Sequence, residues 1–333
     1  MLSTLHAGKP IAPEEGLGRA EAPRIGVLFT YDSGDKAVLR GLGESHRRGV
    51  PSIVDSGGWS VFNAGAVIDP VLQAQFAIST RALYPETRFL ALDVIGSPEE
   101  TWENWALQRS LGAPVEPTLH YGTDPAEFDR YLEAGLYVND DGDAWVNFGG
   151  MVASSSRPTW IRPTMAWVAS IKRRLPAAES LGYRVRFHGL GMTTPSANDI
   201  VKFDGVDSSY WLISLARFRT LPLFDPERRR WARMLLASAK PEYERESRVE
   251  LHAVRDLLRK HYDTEPAAVW AMDDGERYGL SIRSHAYFAD AYRRRHHDPK
   301  APIVYLAAAP TKPDAPVWEH IDRWAHTSPR PLR

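Results

Sequence analysis

Short apolar runs alternate with helix-like stretches from Arg24 onward, and this rhythm constrains the fold more than any other feature of the sequence. The runs Ile25-Gly-Val-Leu-Phe-Thr-Tyr31, Ser52-Ile-Val-Asp55, Arg88-Phe-Leu-Ala-Leu-Asp93, Val115–His120, Trp145–Gly150, Tyr183–His188 and Phe203–Asp207 read as strands. Between them, Asp69, Ser97 and Asp124 each stand directly before a proline. A side-chain acceptor followed by Pro at the first helical position is a helix start. Helices are expected over 36–48, from 69 to about 83, from 97, from 124 to 133, over 162–181 and over 196–202. Strands alternating with helices make parallel βαβ units. Seven or eight units in about 200 residues favour a closed α/β fold, a (β/α)8 TIM barrel, over an open sheet. No GxGxxG follows the first strand, which argues against a dinucleotide-binding sheet. An eighth strand is expected within Leu212–Phe218.

The chain divides into a flexible lead-in at 1–22, a barrel at 23–225 and a helical, basic C-terminal extension at 226–333. The pattern turns helical over Glu227–Tyr262, with Trp231, Leu235, Leu251 and Leu258 as inward positions, and a further helix is expected over 284–296. A short apolar run, Ile303–Ala309, and an aromatic tail with Trp318 and Trp324 follow. The 333 residues are 43% hydrophobic and 25% charged, a globular composition with ample length for a core. The absence of cysteine excludes disulfides, thiolate zinc sites, iron–sulfur clusters and a cysteine nucleophile. No apolar run is long enough for a membrane span or signal peptide, so a cytoplasmic location is expected.

Net charge is −1, yet residues 226–262 carry ten Lys/Arg against six Asp/Glu, and residues 277–300 carry six against two. Such clusters on a neutral chain suit either a docking surface for an anionic partner or a solvated helix face.

The strand ends carry the chemistry. They read Asp55, Asp93, His120, Gly149-Gly150, His188 and Asp207. In a barrel these positions converge on the face that holds active sites. Three carboxylates around one mouth shift one another's proton affinity and suit acid–base and nucleophilic work. Singly, each could instead cap a helix. His120 and His188 are open between proton relay, phosphate contact and buried structural residue. With Asp55 and Asp93 they could also form a barrel-mouth metal site, although no HxH-like spacing supports one. Gly57 and Gly58 permit close backbone approach to a flat ligand, and Ser56 adds a hydroxyl.

The string Asp55-Ser-Gly-Gly-Trp-Ser-Val-Phe62 resembles the Asp-Ser-Gly-Gly-Phe-Gln-Val-Phe motif of the tRNA-guanine transglycosylase family. In the family's order, Phe89-Leu-Ala-Leu-Asp93 is similar to its strand ending in a base-binding Asp. Asn147-Phe-Gly-Gly-Met151 resembles its Gly-Gly-Leu segment, and His188-Gly-Leu-Gly-Met192 its Met-Gly-Val-Gly turn. Gly205-Val-Asp207 resembles the segment that carries the nucleophile. The resemblance spans about 25–215. It implies base exchange at the sugar C1′, with Asp207 (alternatively Asp204) as nucleophile and Asp55 in acid–base work. Asp93 would recognise the guanine edge, with Ser56, Gly57, Gly58, Gly149, Gly150, His120, His188 and Gly191 around the base. No cofactor or metal is implied.

Two departures direct the choice of substrate. The family's structural zinc site of three cysteines and a histidine is missing, and its Phe-Asp-Cys string is replaced by Val206-Asp-Ser-Ser-Tyr-Trp211. The missing zinc site weighs against tRNA, and the combination of His188-Gly-Leu-Gly-Met192 with Val206-Asp-Ser-Ser-Tyr-Trp211 looks more like the divergent phage branch, whose members place 7-deazaguanine bases in DNA. The resemblance therefore implies DNA as polymer partner, with tRNA as the alternative, and a small 7-deazaguanine such as 7-cyano-7-deazaguanine (preQ0) as co-substrate. For a phage protein the location would be the host cytoplasm, and a homodimer is a candidate assembly. Arg228, Arg229, Arg230, Arg293, Arg294 and Arg295, interleaved with Trp231 and Tyr292, are the candidate phosphate contacts. A metal-dependent barrel hydrolase and a non-catalytic nucleic-acid-binding protein are the competing readings.

Overall fold

The computed structural model describes residues 24–65, 67–151, 158–236, 252–293, 302–307 and 309–326. The lead-in 1–22, Leu251, Arg294 and Arg295 lie outside the described residues. Strands β1 (Ile25–Thr30), β2 (Ser52–Asp55), β3 (Arg88–Leu90), β4 (Val115–Glu116), β5 (Thr118–His120), β6 (Asp143–Gly149), β7 (Arg184–Gly189) and β8 (Gly205–Ser208) occupy the runs expected from the sequence. β9 (Thr220–Asp225) and β10 (Arg230–Leu235) form a separate antiparallel hairpin, and β11 is Ile303–Ala307.

Nine strands make one parallel, nearly closed, barrel-like sheet in the order β4-β3-β2-β1-β11-β8-β7-β6-β5. The two strands that end this order, β4 and β5, are separated in sequence by Pro117 alone. Proline has no N–H to give a ladder, so the hydrogen-bonded run breaks there. Its carbonyl still accepts from the Asn147 amide at 2.9 Å, which ties the break to β6. Two apolar zones result. The larger lies between sheet and helices and includes Phe29, Phe89, Trp105, Phe128, Phe148, Phe187 and Val206. The smaller is Leu28, Ile53, Leu90 and Tyr305, joined by Ile303 and Ala307. β-strand side chains alternate between faces, so the second zone is what the inward-facing residues of a barrel form.

Two of the three expected helix starts hold, whereas Asp124 accepts from the Ala126 amide at 2.9 Å and the helix begins only at Glu127, without a side-chain cap. Asp69 accepts from the Val71 amide at 2.8 Å ahead of the helix Pro70–Leu83. Ser97 accepts from Glu100 at 3.4 Å ahead of Pro98–Ser110. The 162–181 pattern is two helices, Pro158–Lys172 and Leu175–Ser180. No helix among the described residues is long and apolar enough to cross a membrane.

Three expectations change. Leu212–Phe218 is not a strand, because Tyr210–Ala216 is helical with Trp211 and Leu215 buried against the layer outside the sheet. The stave in that place is Ile303–Ala307, which pairs with β1 on one side and β8 on the other. The barrel therefore does not end at Asp225, and the 226–333 segment is partly built into it. Nor is Glu227–Tyr262 one helix. Arg229 takes a left-handed φ of 51° in the turn of the β9–β10 hairpin, and Arg230–Leu235 runs back as a strand. Leu235 is exposed there, whereas Leu258 is buried in the helical stretch that follows. The helix expected over 284–296 begins ten residues earlier, at Asp274, and is described to Arg293, with 294–296 outside the described residues.

Candidate active site

Because the sheet is parallel, its C-terminal ends open on one face. Asp55 and His120 are the last residues of β2 and β5, and Gly149 is the last of β6. Asp93 follows β3, His188 is the penultimate residue of β7, and Asp207 is the penultimate residue of β8. The structure thus brings these strand-end residues to one mouth. Burial pushes the Asp55 carboxyl up to about 7 from its ordinary value of 3.8, and the nearby charges of Asp93 and Asp207 push the same way. Amides of Gly57 (3.3 Å to Oδ2) and Ser56 oppose the shift without cancelling it. Asp55 is consequently poised between acid and base near neutral pH.

The raised proton affinity has a stability consequence. The unfolded chain releases this proton near 3.8 and the folded chain near 7, so between those values the folded state holds more protons. Stability then falls as pH rises through that window. Asp55→Asn is expected to match wild type below pH 4 and to exceed it above pH 7. The gain is roughly 2–4 kcal/mol, the lower end allowing for the part of Asp55 that still meets solvent. Urea unfolding at a series of pH values checks this, and parallel curves for the two proteins would refute it.

Asp93 is held from two sides. The Ser56 hydroxyl donates to its Oδ1 at 2.5 Å, and His120 Nε2 lies 2.7 Å from its Oδ2. Ser56 has no exposed surface, and its own oxygen accepts from the Gly58 amide at 3.1 Å. It therefore orients Asp93 rather than meeting a ligand. A Cβ on Gly58 would overlap Asp93 Oδ1, and one on Gly149 would come within 2.7 Å of the His120 ring. These two glycines are required for close packing of the acidic mouth. Gly57 and Gly150 hold φ of +87° and +70°, a region that favours glycine.

Asp207 and Asp204 separate clearly. Asp204 precedes β8 and so lies at the opposite end of the sheet from the mouth. Its Oδ2 accepts from the Phe187 amide at 2.8 Å and its Oδ1 from Arg186 at 3.2 Å. Asp207 Oδ1 accepts from the Gly191 amide at 2.9 Å and lies 3.2 Å from His188 Nε2. No described residue donates to Asp207 Oδ2, which leaves that oxygen for chemistry. His188 itself is wholly buried, so it supports Asp207 and does not line the open mouth.

Of the candidate phosphate contacts, Arg228 is largely exposed, with Asp225 3.7 Å away, and Arg230 is exposed. Arg229 is engaged with Asp199 at 2.7 Å. Trp231 Nε1 donates to Thr193 O at 2.9 Å, and its ring packs on Phe224, His285 and Phe288. These contacts fix the hairpin to the loop after β7, whose Gly191 amide holds Asp207. Arg293 is half-buried at the end of its helix. No group of three or more His, Asp or Glu among the described residues is arranged to hold a metal ion.

Sequence reasoning missed a buried polar network in the barrel interior. Arg88 binds Glu116 through two hydrogen bonds of 2.7 and 2.6 Å, and its guanidinium lies 3.6 Å from the Trp145 ring centre. Asn147 bridges to Glu116 at 3.2 Å. A charge at the first inward position of β3 was the available signal. Inside an apolar sheet it needs a partner, and Glu116 on the neighbouring strand is the acid within reach.

Comparison with protein-family models, curated proteins and solved structures finds no match to the chain.

Proposed function

We propose that this chain is a pentosyltransferase that exchanges guanine in DNA for a 7-deazaguanine, working at the mouth of an eight-stave (β/α)8 barrel in which β4 and β5 are one stave interrupted at Pro117. The observation that carries the reading is the convergence of three carboxylates on one mouth, one of them with its proton affinity raised to about 7. Asp207 Oδ2 attacks the sugar C1′ as the C1′–N9 bond breaks. The bonding pair leaves with the guanine, which takes a proton from Asp55. A covalent sugar–Asp207 ester results. The incoming base gives its N9 proton to Asp55, attacks C1′ and releases the Asp207 carboxylate. Asp93, held by Ser56 and His120, retains lone pairs to accept from the N1–H and 2-amino edge. A base within a duplex reaches such a pocket only when flipped out of the stack. Arg228 and Arg230, exposed on a hairpin tied to the loop beside Asp207, would supply contacts to flanking phosphates.

The test incubates the protein with labelled 7-cyano-7-deazaguanine and duplex DNA, single-stranded DNA or tRNA, followed by nucleoside mass spectrometry. Label in DNA is the expected result. Label in tRNA alone keeps the chemistry and changes the polymer, and label in none of them overturns the reading.

A further inference from the structure

His188 has no place in the proton and base-recognition steps above, yet it touches the nucleophile. It is wholly buried, and its Nε2 lies 3.2 Å from Asp207 Oδ1. The Gly191 amide reaches the same oxygen at 2.9 Å. On the other side of the ring, Nδ1 has no hydrogen-bond partner. Gly205 lies beside His188 in the sheet register, and a Cβ there would stand 2.8 Å from that nitrogen. The ring therefore occupies space that only glycine leaves, and its far nitrogen meets backbone rather than an acceptor. A proton on Nδ1 would be a buried N–H without a partner, which is costly, while a bare lone pair there costs less. The tautomer this favours is neutral with its hydrogen on Nε2, donating to Asp207.

Burial favours the neutral ring most, and the charged surroundings are divided. Asp207 on β8 and Glu116 on β4 favour a protonated ring and Arg88 on β3 opposes one. Tyr305 on β11 packs 5.5 Å away, ring to ring. Burial is the largest influence and lowers the proton affinity of His188 below its ordinary value.

We propose that His188 is a positioning residue for the nucleophile: an uncharged ring whose Nε2–H, together with the Gly191 amide, pins Oδ1 of Asp207 and so presents Oδ2 to the reacting sugar. The inference rests on the base-exchange reading. A neutral donor suits this task better than a cation. It holds the carboxylate ionised and oriented, whereas an imidazolium would bind the charge more tightly and blunt its attack.

Two measurements test this. The first is independent of activity: nitrogen-15 NMR of histidine-labelled full-length protein, with the His188 signal assigned by its loss in His188→Leu. A ring that stays neutral, with its hydrogen on Nε2, below its ordinary value of 6.5, and a resonance that moves in Asp207→Asn, are expected. A ring that titrates near 6.5, or carries its hydrogen on Nδ1, overturns the proposal. The second is kinetic. His188→Leu removes the donor and is expected to lower kcat by about 10–100-fold with little change in KM, since misplacing a reacting group costs about that much. His188→Gln restores an N–H at similar reach and should recover to within a few-fold of wild type. Equal loss in the Leu and Gln variants, or no loss in either, overturns the positioning role. Wild-type protein that exchanges no base defeats the reading of function instead, and the NMR result still decides the arrangement of His188 and Asp207.

Discussion

Asp207→Asn is expected to abolish base exchange, by at least about 10³-fold in kcat, while nucleic-acid binding survives. The substitution is nearly isosteric. An amide oxygen at the Oδ1 position still accepts from Gly191, so the mouth keeps its shape. What disappears is the anionic oxygen to which the proposed mechanism assigns the bond to C1′, and a carboxamide is a poor nucleophile. Intact-mass spectrometry of protein mixed with DNA and no incoming base should show a covalent adduct in wild type and none in the variant. Asp204→Asn is the matched control. That residue bonds Phe187 and Arg186 at the far end of β8, so its loss should cost stability, about 1–3 kcal/mol, with the chemistry retained. Exchange lost in the Asp204 variant and kept in the Asp207 variant would reverse the register of the nucleophile.

The separation of these two aspartates marks where sequence reasoning stops. Both stand in Phe203-Asp-Gly-Val-Asp207, and either could be the reactive one on residue type alone. Only the extent of β8, which begins at Gly205, places one before the strand and the other near its end. The mouth as a whole was legible, because a strand has a direction and its last residues in a parallel sheet must share a face. Strand runs and capped helix starts were legible for a similar reason, since they are local. The roles of Ser56, Gly58 and Gly149 were not. Each looks like a ligand contact in one dimension and in three also packs against Asp93 or His120, a role set by contacts between residues 29 or more positions apart. Trp231 is a milder case: its packing against the core was foreseeable, but the strand that carries it was not, because the arginines around it fit a helix surface equally well.

The largest misreading concerned the sheet's last stave, and it yields the second large effect. A chain ending at Asp225 is expected not to fold. It would contain β1 to β9 and would look like a complete barrel by element count. It would lack β11, which lies between β1 and β8, with Ile25 to Leu28 paired to Val304 to Ala307 and Gly205 to Ser208 paired to Ile303 to Leu306. Two parallel strands would then expose their edges together. Val304 and Leu306 are fully buried and Tyr305 nearly so. Burying three such side chains contributes roughly 1.5–3 kcal/mol each. With the lost ladder hydrogen bonds at about 1 kcal/mol apiece, the deficit is comparable to the whole stability of a typical domain. Ala307 also accepts from Trp211 Nε1 at 2.8 Å, so the helix Tyr210–Ala216 loses its anchor as well. Circular dichroism of the 24–225 fragment should show no cooperative thermal transition. A transition within a few degrees of the full chain's would mean that the sheet closes without β11. Point variants in the full chain locate the effect. Leu306→Ala should cost about 2–5 kcal/mol, as for other buried leucines. Phe218→Ala, in the segment first expected to be the stave, should stay within about 0.5 kcal/mol of wild type, because its side chain is 63% exposed.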